Sequence, residues 1–114
     1  MVKVSILYPN NPGSHFDADY YLKVHMPMCV KLLGSALKAV SAEIGLSGAT
    51  AEHPAPFAAI ASFTCDSVHA FSEAFLPHAN QLQGDIPNYT DIAPVIQIGE
   101  LNEFSVGRAE VLTT

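Results

Sequence analysis

The sequence predicts an α+β domain with a four-stranded antiparallel sheet and two helices on one of its faces. Three observations predict it. Four short stretches alternate apolar and polar residues with the period of a strand. Two longer stretches repeat with the period of a helix. They run in the order β-α-β, β-α-β along 114 residues, enough for one domain, residues 1–114.

In Val2 to Tyr8, Val2, Val4, Ile6 and Tyr8 take one face and Lys3, Ser5 and Leu7 the other. The turn formers of Pro9 to Ser14 end that strand. Asp17 to Leu33 reads as an amphipathic helix with Asp17 or Asp19 at its start and Gly34 at its stop. Tyr21, His25, Cys29 and Leu32 share one face of it, and Lys23, Pro27 and Lys31 form the solvent stripe. Pro27 has no N–H for the carbonyl of Lys23, so a bend is expected there, on the side where water can satisfy that carbonyl.

Leu37 to Leu46 alternates again, and Ser47 to Pro56 has the composition of a loop. Phe57 to Cys65 is the third strand, with small side chains that call for close packing. Asp66 or Ser67 caps the second helix, with Val68, Phe71, Phe75 and Leu82 as its buried stripe. Pro77 implies a kink or a fresh helical start near His78. Gly84 to Ala93 reads as an irregular segment. Pro94 to Leu101 is the fourth strand, and Phe104 to Leu112 forms a short terminal strand or an arm reaching a partner. Right-handed crossovers then place both helices on one face, the split βαβ or ferredoxin-like arrangement.

Composition narrows the function classes. Hydrophobic residues make up 49% and charged residues 14%, which is apolar for so short a chain. Two helices cover only one sheet face, and a wet apolar face would exceed the patch of about 300–600 Å² that monomers tolerate. A two-fold homodimer with its sheets face to face is therefore expected. The net charge of -6 and five scattered basic residues argue against nucleic acid. No apolar run approaches a membrane span, and the N-terminus reads as a strand rather than a signal peptide. Cys29 and Cys65 lack metal or redox spacing, so they are expected to be reduced thiols in the cytoplasm.

Two stretches resemble the EthD family, named for ethyl tert-butyl ether degradation. One is FDADYYLKVHMP, with Phe16, Asp17, Tyr20, Tyr21, His25 and Pro27. The other is DIPNYTDIAPVIQIGE, Asp85 to Glu100. With the order of elements, the resemblance covers essentially the whole chain. It implies a dimeric α+β barrel, whose relatives by fold include polyketide cyclases, cofactor-free monooxygenases and muconolactone isomerases. It also implies a role in the catabolism of organic compounds.

Within that frame, His25 is the first candidate for catalysis, because an imidazole titrates near neutral pH. Its structural alternative is a neutral core histidine bonded to a strand carbonyl or a tyrosine. Tyr21, one turn earlier, would orient His25 or donate to a ligand oxygen; the alternative is core packing. Tyr20 points about 100° away from Tyr21 on a helix. Tyr20, Cys29, Cys65 and Tyr89 are candidate ligand contacts. Against this, buried cysteines are usually small hydrophobes, and the Asn88–Asp91 loop needs turn chemistry in any case. Glu43 and Gln97 line a pocket or pair across an interface. No histidine spacing suggests a metal site, and haem ligation by His25 is a remote alternative. No glycine-rich phosphate loop suggests a flavin or nicotinamide, so no cofactor is expected.

The functional expectation is a small hydrophobic ligand, a carbonyl or lactone, and cofactor-free proton transfer of isomerase, cyclase or oxidoreductase type. Alternatives are a non-catalytic binder that carries such a metabolite to an oxygenase, and a ligand-free structural dimer with Met26, Met28 and phenylalanines filling the pocket.

Overall fold

The computed structural model describes residues 1–107. Its single antiparallel sheet has the order β2-β3-β1-β4, with β1 Val2–Pro9, β2 Ala39–Ile44, β3 Phe57–Cys65 and β4 Val95–Glu100. β1 and β3 are central, as the two crossovers require, and Val4 faces Phe63 on one side and Ile98 on the other. Because side chains alternate, this register puts Val4, Ile6, Tyr8, Ala59, Ala61, Phe63, Val40 and Ala42 on one face. Val4, Tyr8, Ala59, Ala61 and Phe63 are buried there. The alanines of β3 let the helices approach closely.

The opposite face carries Lys3, Ser5, Leu7, Ala39, Ser41, Glu43, Ala58, Ile60, Ser62, Thr64, Val95 and Gln97. It is mixed rather than greasy, less apolar than composition alone suggests. Glu43 and Gln97 both lie on it, away from the helices.

The first helix has three parts: an α-helical turn Ala18–Tyr20, a π-helical turn Tyr21–His25 and an α-helix Met26–Leu33. Asp17 caps it by accepting from the Tyr20 N–H, and Gly34 closes it at φ 60°. The bend expected at Pro27 takes the form of the π turn just before it, where the Met26 N–H reaches back five residues to the Tyr21 carbonyl. A proline ring clashes with the carbonyl four residues earlier, and widening the turn that holds Lys23 relieves that clash. Lys23, Pro27 and Lys31 are exposed, while Tyr21, His25 and Cys29 are buried.

The second helix, Val68–Phe75, is capped by Ser67, whose hydroxyl accepts from the Ala70 N–H. Pro77 falls in a 3-10 turn, Leu76–His78, and a third helix, Ala79–Asp85, starts afresh after it. Val68 is exposed, whereas Phe71, Phe75 and Leu82 pack inward. Residues 84–88 are helical rather than irregular. A lone glycine costs a helix only about 1 kcal/mol, so Gly84 does not stop it. Pro87 sits in the first turn of a 3-10 segment, Ile86–Asn88, where its missing N–H is not needed. β2 is shorter than expected at both ends, and Leu46 is 95% exposed. Residues 104–107 have no regular structure, and the rest of the expected terminal strand or arm lies outside the described residues.

Candidate active site

The site is held together by two pinned segments. Phe16 and Thr90 form a β-bridge, the Asp17 N–H donates to the Tyr89 carbonyl at 2.8 Å, and the Thr90 hydroxyl donates to the His15 carbonyl at 2.6 Å. The Asp91 carboxylate accepts the His15 N–H. The polar residues of the NYTD loop therefore tie it to the start of the first helix, beyond making a local turn. This drives Tyr89 inward, where it is fully buried.

Next to it, the first helix presents His25 to the end of the third helix. His25 Nδ1 lies 2.9 Å from Asp85 Oδ2, with the two side chains only 8% and 11% exposed. The other carboxylate oxygen, Oδ1, accepts from the Tyr20 hydroxyl at 2.6 Å and from Asn88 Nδ2 at 2.9 Å. Burial pushes the Asp85 pKa up, but the hydrogen bonds from Tyr20, Asn88 and His25 outweigh it and hold the carboxyl below its ordinary value of 3.8. Asp85 is therefore ionised at neutral pH, and His25 Nδ1 donates to it. Among the described residues Nε2 of the same ring has no hydrogen-bond partner.

The imidazole borders a cavity of about 100 Å³ whose wall also includes Tyr8, Cys29, Phe63, Phe71 and Ile96. Apart from His25 and Gln83 the lining is almost wholly apolar. Ile96 is 57% exposed, so the cavity opens beside β4. Met26 and Met28 pack in or against the core without lining it, so the space that the ligand-free reading filled is open.

Two aromatic rings lie against His25, and two more lie against one of those. Tyr21 stacks beside it with centroids 6.0 Å apart, and Tyr89 tilts against it at 4.7 Å. Tyr20 stacks on Tyr89, and Tyr8 meets Tyr89 edge-on. The Tyr8 and Tyr89 hydroxyls share a hydrogen bond of 2.6 Å. The Tyr21 hydroxyl is buried with no partner among the described residues. Leaving such a group unpaired costs about 1–3 kcal/mol. Burial raises the pKa of all three phenols, so each keeps its proton at neutral pH.

Of the six residues singled out from the sequence, Tyr20, Tyr21, His25, Cys29 and Tyr89 converge here. Tyr20 and Tyr89 form a layer behind the imidazole, and Cys29 lines the cavity. Burial pushes the Cys29 thiol up to about 11, with the Asp85 charge adding to it, so it is a neutral side chain rather than a nucleophile. Cys65 stands apart. It ends β3 opposite Val2, buried on the same face as Phe63 but outside the cavity wall. The Nδ1 partner of His25 is a carboxylate, not the strand carbonyl or tyrosine expected of a core histidine. Sequence reasoning missed Asp85 and Tyr8, and read Asn88 only as part of the loop before the fourth strand. Asp85 opens the second quoted stretch and has Asn88 three residues later, a pattern that signals a held carboxylate once the segment is read as helical. Among the described residues no three His, Cys, Asp or Glu side chains gather as a metal site, and no helix is long and apolar enough to cross a membrane.

Comparisons with known proteins agree with this architecture. The model of the EthD domain matches residues 15–93, which contain both His25 and Asp85. An EthD-like protein from Ralstonia eutropha JMP134 is 43% identical, with a TM-score of 0.87 over 94% of this chain and 96% of that one. An ethyl tert-butyl ether degradation (EthD) family protein from Bacillus halodurans C-125 is 15% identical, with a TM-score of 0.63 over 90% of this chain and 99% of that one. A protein from Arabidopsis thaliana, also 15% identical, gives 0.64 over 93% and 100%; these last two likenesses show the fold alone. No curated protein matches the chain. The chain belongs to the EthD family.

Proposed function

We propose that this protein binds a small hydrophobic molecule and moves a proton with His25, without a dissociable cofactor. The observation that carries the reading is the His25–Asp85 pair at the wall of an apolar cavity. A carboxylate on Nδ1 selects the tautomer whose Nε2 lone pair is free, and it stabilises the imidazolium that forms when Nε2 takes a proton. Tyr20 and Asn88 hold Asp85 in that orientation, so they act as positioning residues. The surrounding apolar wall excludes water and strengthens the pair. Cys29 shapes the cavity as a small neutral group.

The assembly is proposed to be a homodimer, acting in the cytoplasm in the breakdown of organic compounds. Its support is the high apolar content together with Val95, Ile96 and Ile98, which are 53%, 57% and 40% exposed along the β4 edge. Light scattering should then give the mass of two chains.

The test is proton exchange. A panel of single-ring ketones and lactones is incubated with the protein in D2O, and deuterium uptake beside the carbonyl is followed by NMR. His25→Ala should abolish uptake while the same compounds still bind. A protein that binds members of the panel but exchanges none of them is a carrier, and the catalytic reading falls.

A further inference from the structure

The two edges of the sheet differ. On β4, Val95, Ile96 and Ile98 are exposed, whereas β2 exposes no large hydrophobic side chain. Ile96 and Ile98 face Ile6 and Val4, so they belong to the helix face. The ladder also shows where the backbone groups of β4 point. The Leu101 N–H donates to the Met1 carbonyl at 3.0 Å, and Glu100 faces Val2, so Met1 and Leu101 are a directly bonded pair. In an antiparallel ladder bonded pairs alternate with unbonded ones. The odd-numbered residues of β4 therefore spend their N–H and C=O groups on β1, and those of Ile96, Ile98 and Glu100 point away from the sheet. Proteins usually guard such an edge with lysine, proline or a bulge. β4 has no lysine or proline between Val95 and Glu100, and its register against β1 is unbroken. Residues 101–107 run on past the ladder. Leu101 and Glu103 border the outer face beside Lys3 and Thr64, so the alternation of β4 continues into them. Continued alternation puts Phe104 and Val106 in phase with Ile96 and Ile98, and both are 87% exposed.

We propose that β4 and the arm 101–107 join a second copy of this chain by strand pairing, and that the second copy completes the cavity. The inference rests on the homodimer reading and not on the chemistry of His25. The unspent N–H and C=O groups of Ile96, Ile98 and Glu100 call for another strand, since a ladder of backbone groups is matched by a ladder. An identical chain brings an open edge of its own. The outer face, with Lys3, Glu43 and its serines, can stay in water, which leaves the β4 edge as the apolar surface in need of cover. The arm lengthens that surface with Phe104 and Val106. The cavity opens at this same edge, where Ile96 is both part of the wall and exposed to water. A strand laid along β4, about 4.8 Å away, covers Ile96 on its open side. An apolar ligand then leaves less of its surface in water when it binds. Ligand binding and association of the chains are thereby linked, and each strengthens the other.

Amide hydrogen exchange tests the pairing residue by residue, across a dilution series in which light scattering passes from two chains to one. In the dimer the N–H groups of Ile96, Ile98 and Glu100 should exchange at least about tenfold more slowly than in the single chain, while those of Gln97 and Gly99 stay protected in both. Ile98→Lys places a guard on the edge and should give single chains, with Gln97 and Gly99 still protected as the sign of an intact sheet. If that variant does not fold, the dilution series of the wild-type protein decides alone. Xenon, which enters apolar cavities, should bind the dimer about threefold more tightly than the single chain, and Ile98→Lys should lack this advantage. A two-chain mass with fast exchange at Ile96, Ile98 and Glu100, or one that a folded Ile98→Lys retains, overturns the β4 contact and leaves the homodimer reading standing on another face. A one-chain mass at every concentration overturns both. Equal xenon affinity in the two states, or no xenon binding in either, overturns the completion of the cavity. The proton-acceptor role of His25 is decided separately, by deuterium exchange.

Discussion

The two faces of the sheet come from the same four strands and have opposite chemistry. On the outer face the polar groups are serines, a threonine, a glutamine and one charge of each sign, spread among apolar residues from alanine to leucine and isoleucine. On the helix face nearly all polar atoms belong to one cluster, around His25 and Asp85, in an otherwise apolar core. Among the described residues the buried polar atom of that cluster without a partner is the Tyr21 hydroxyl. Water disperses polarity on one face. On the other, low dielectric makes an unpaired group costly, so polar side chains there gather around partners.

The comparison is broken most completely at His25. His25→Ala should lower the rate of deuterium exchange into a ketone substrate by about 10²- to 10⁴-fold, the range of general-base catalysis, with ligand affinity retained. Asp85→Ala removes the acceptor of Tyr20, Asn88 and His25 at once, and should cost about 3 kcal/mol of stability in urea unfolding. Asp85→Asn tests the charge alone. The Asp85 pKa is lower in the folded chain than in the unfolded one. Its stabilisation is therefore present above its ordinary value of 3.8 and disappears as the pH falls through the folded value. Wild-type Tm should drop below about pH 4, and the drop should be shallower in the Asn variant.

Tyr21→Phe sharpens the contrast in the other direction. It deletes a buried hydroxyl with no partner among the described residues, so it should raise stability by about 1 kcal/mol. The smallest effect belongs to the outer face, where Ser62→Ala in the isolated chain should change stability by less than about 0.5 kcal/mol. Thermal unfolding of the two variants side by side measures the difference. A larger effect of Ser62→Ala that grows with protein concentration would place that face in the dimer contact.

The four strands, both caps of the first helix and the fresh start after Pro77 are all readable along the chain. Each is written in a few neighbouring residues: alternation in β1 and β3, Asp17 before the Tyr20 N–H, Gly34 at positive φ. His25 was legible as an imidazole on an apolar face for the same reason, since helical spacing is local. Its partner was not. Asp85 lies 60 residues away on another helix, and the glycine and proline around it read as loop. The face of the sheet that meets the helices was equally undecided, because alternation has two phases and no local sign distinguishes them. Stacking both crossovers on one face chose the phase. That stacking brought the end of the third helix against the first and gave a lone histidine its carboxylate partner beside a cavity. Side-chain periodicity reports only what lies within a turn or a rung; partners separated by a crossover exist only once the layers close.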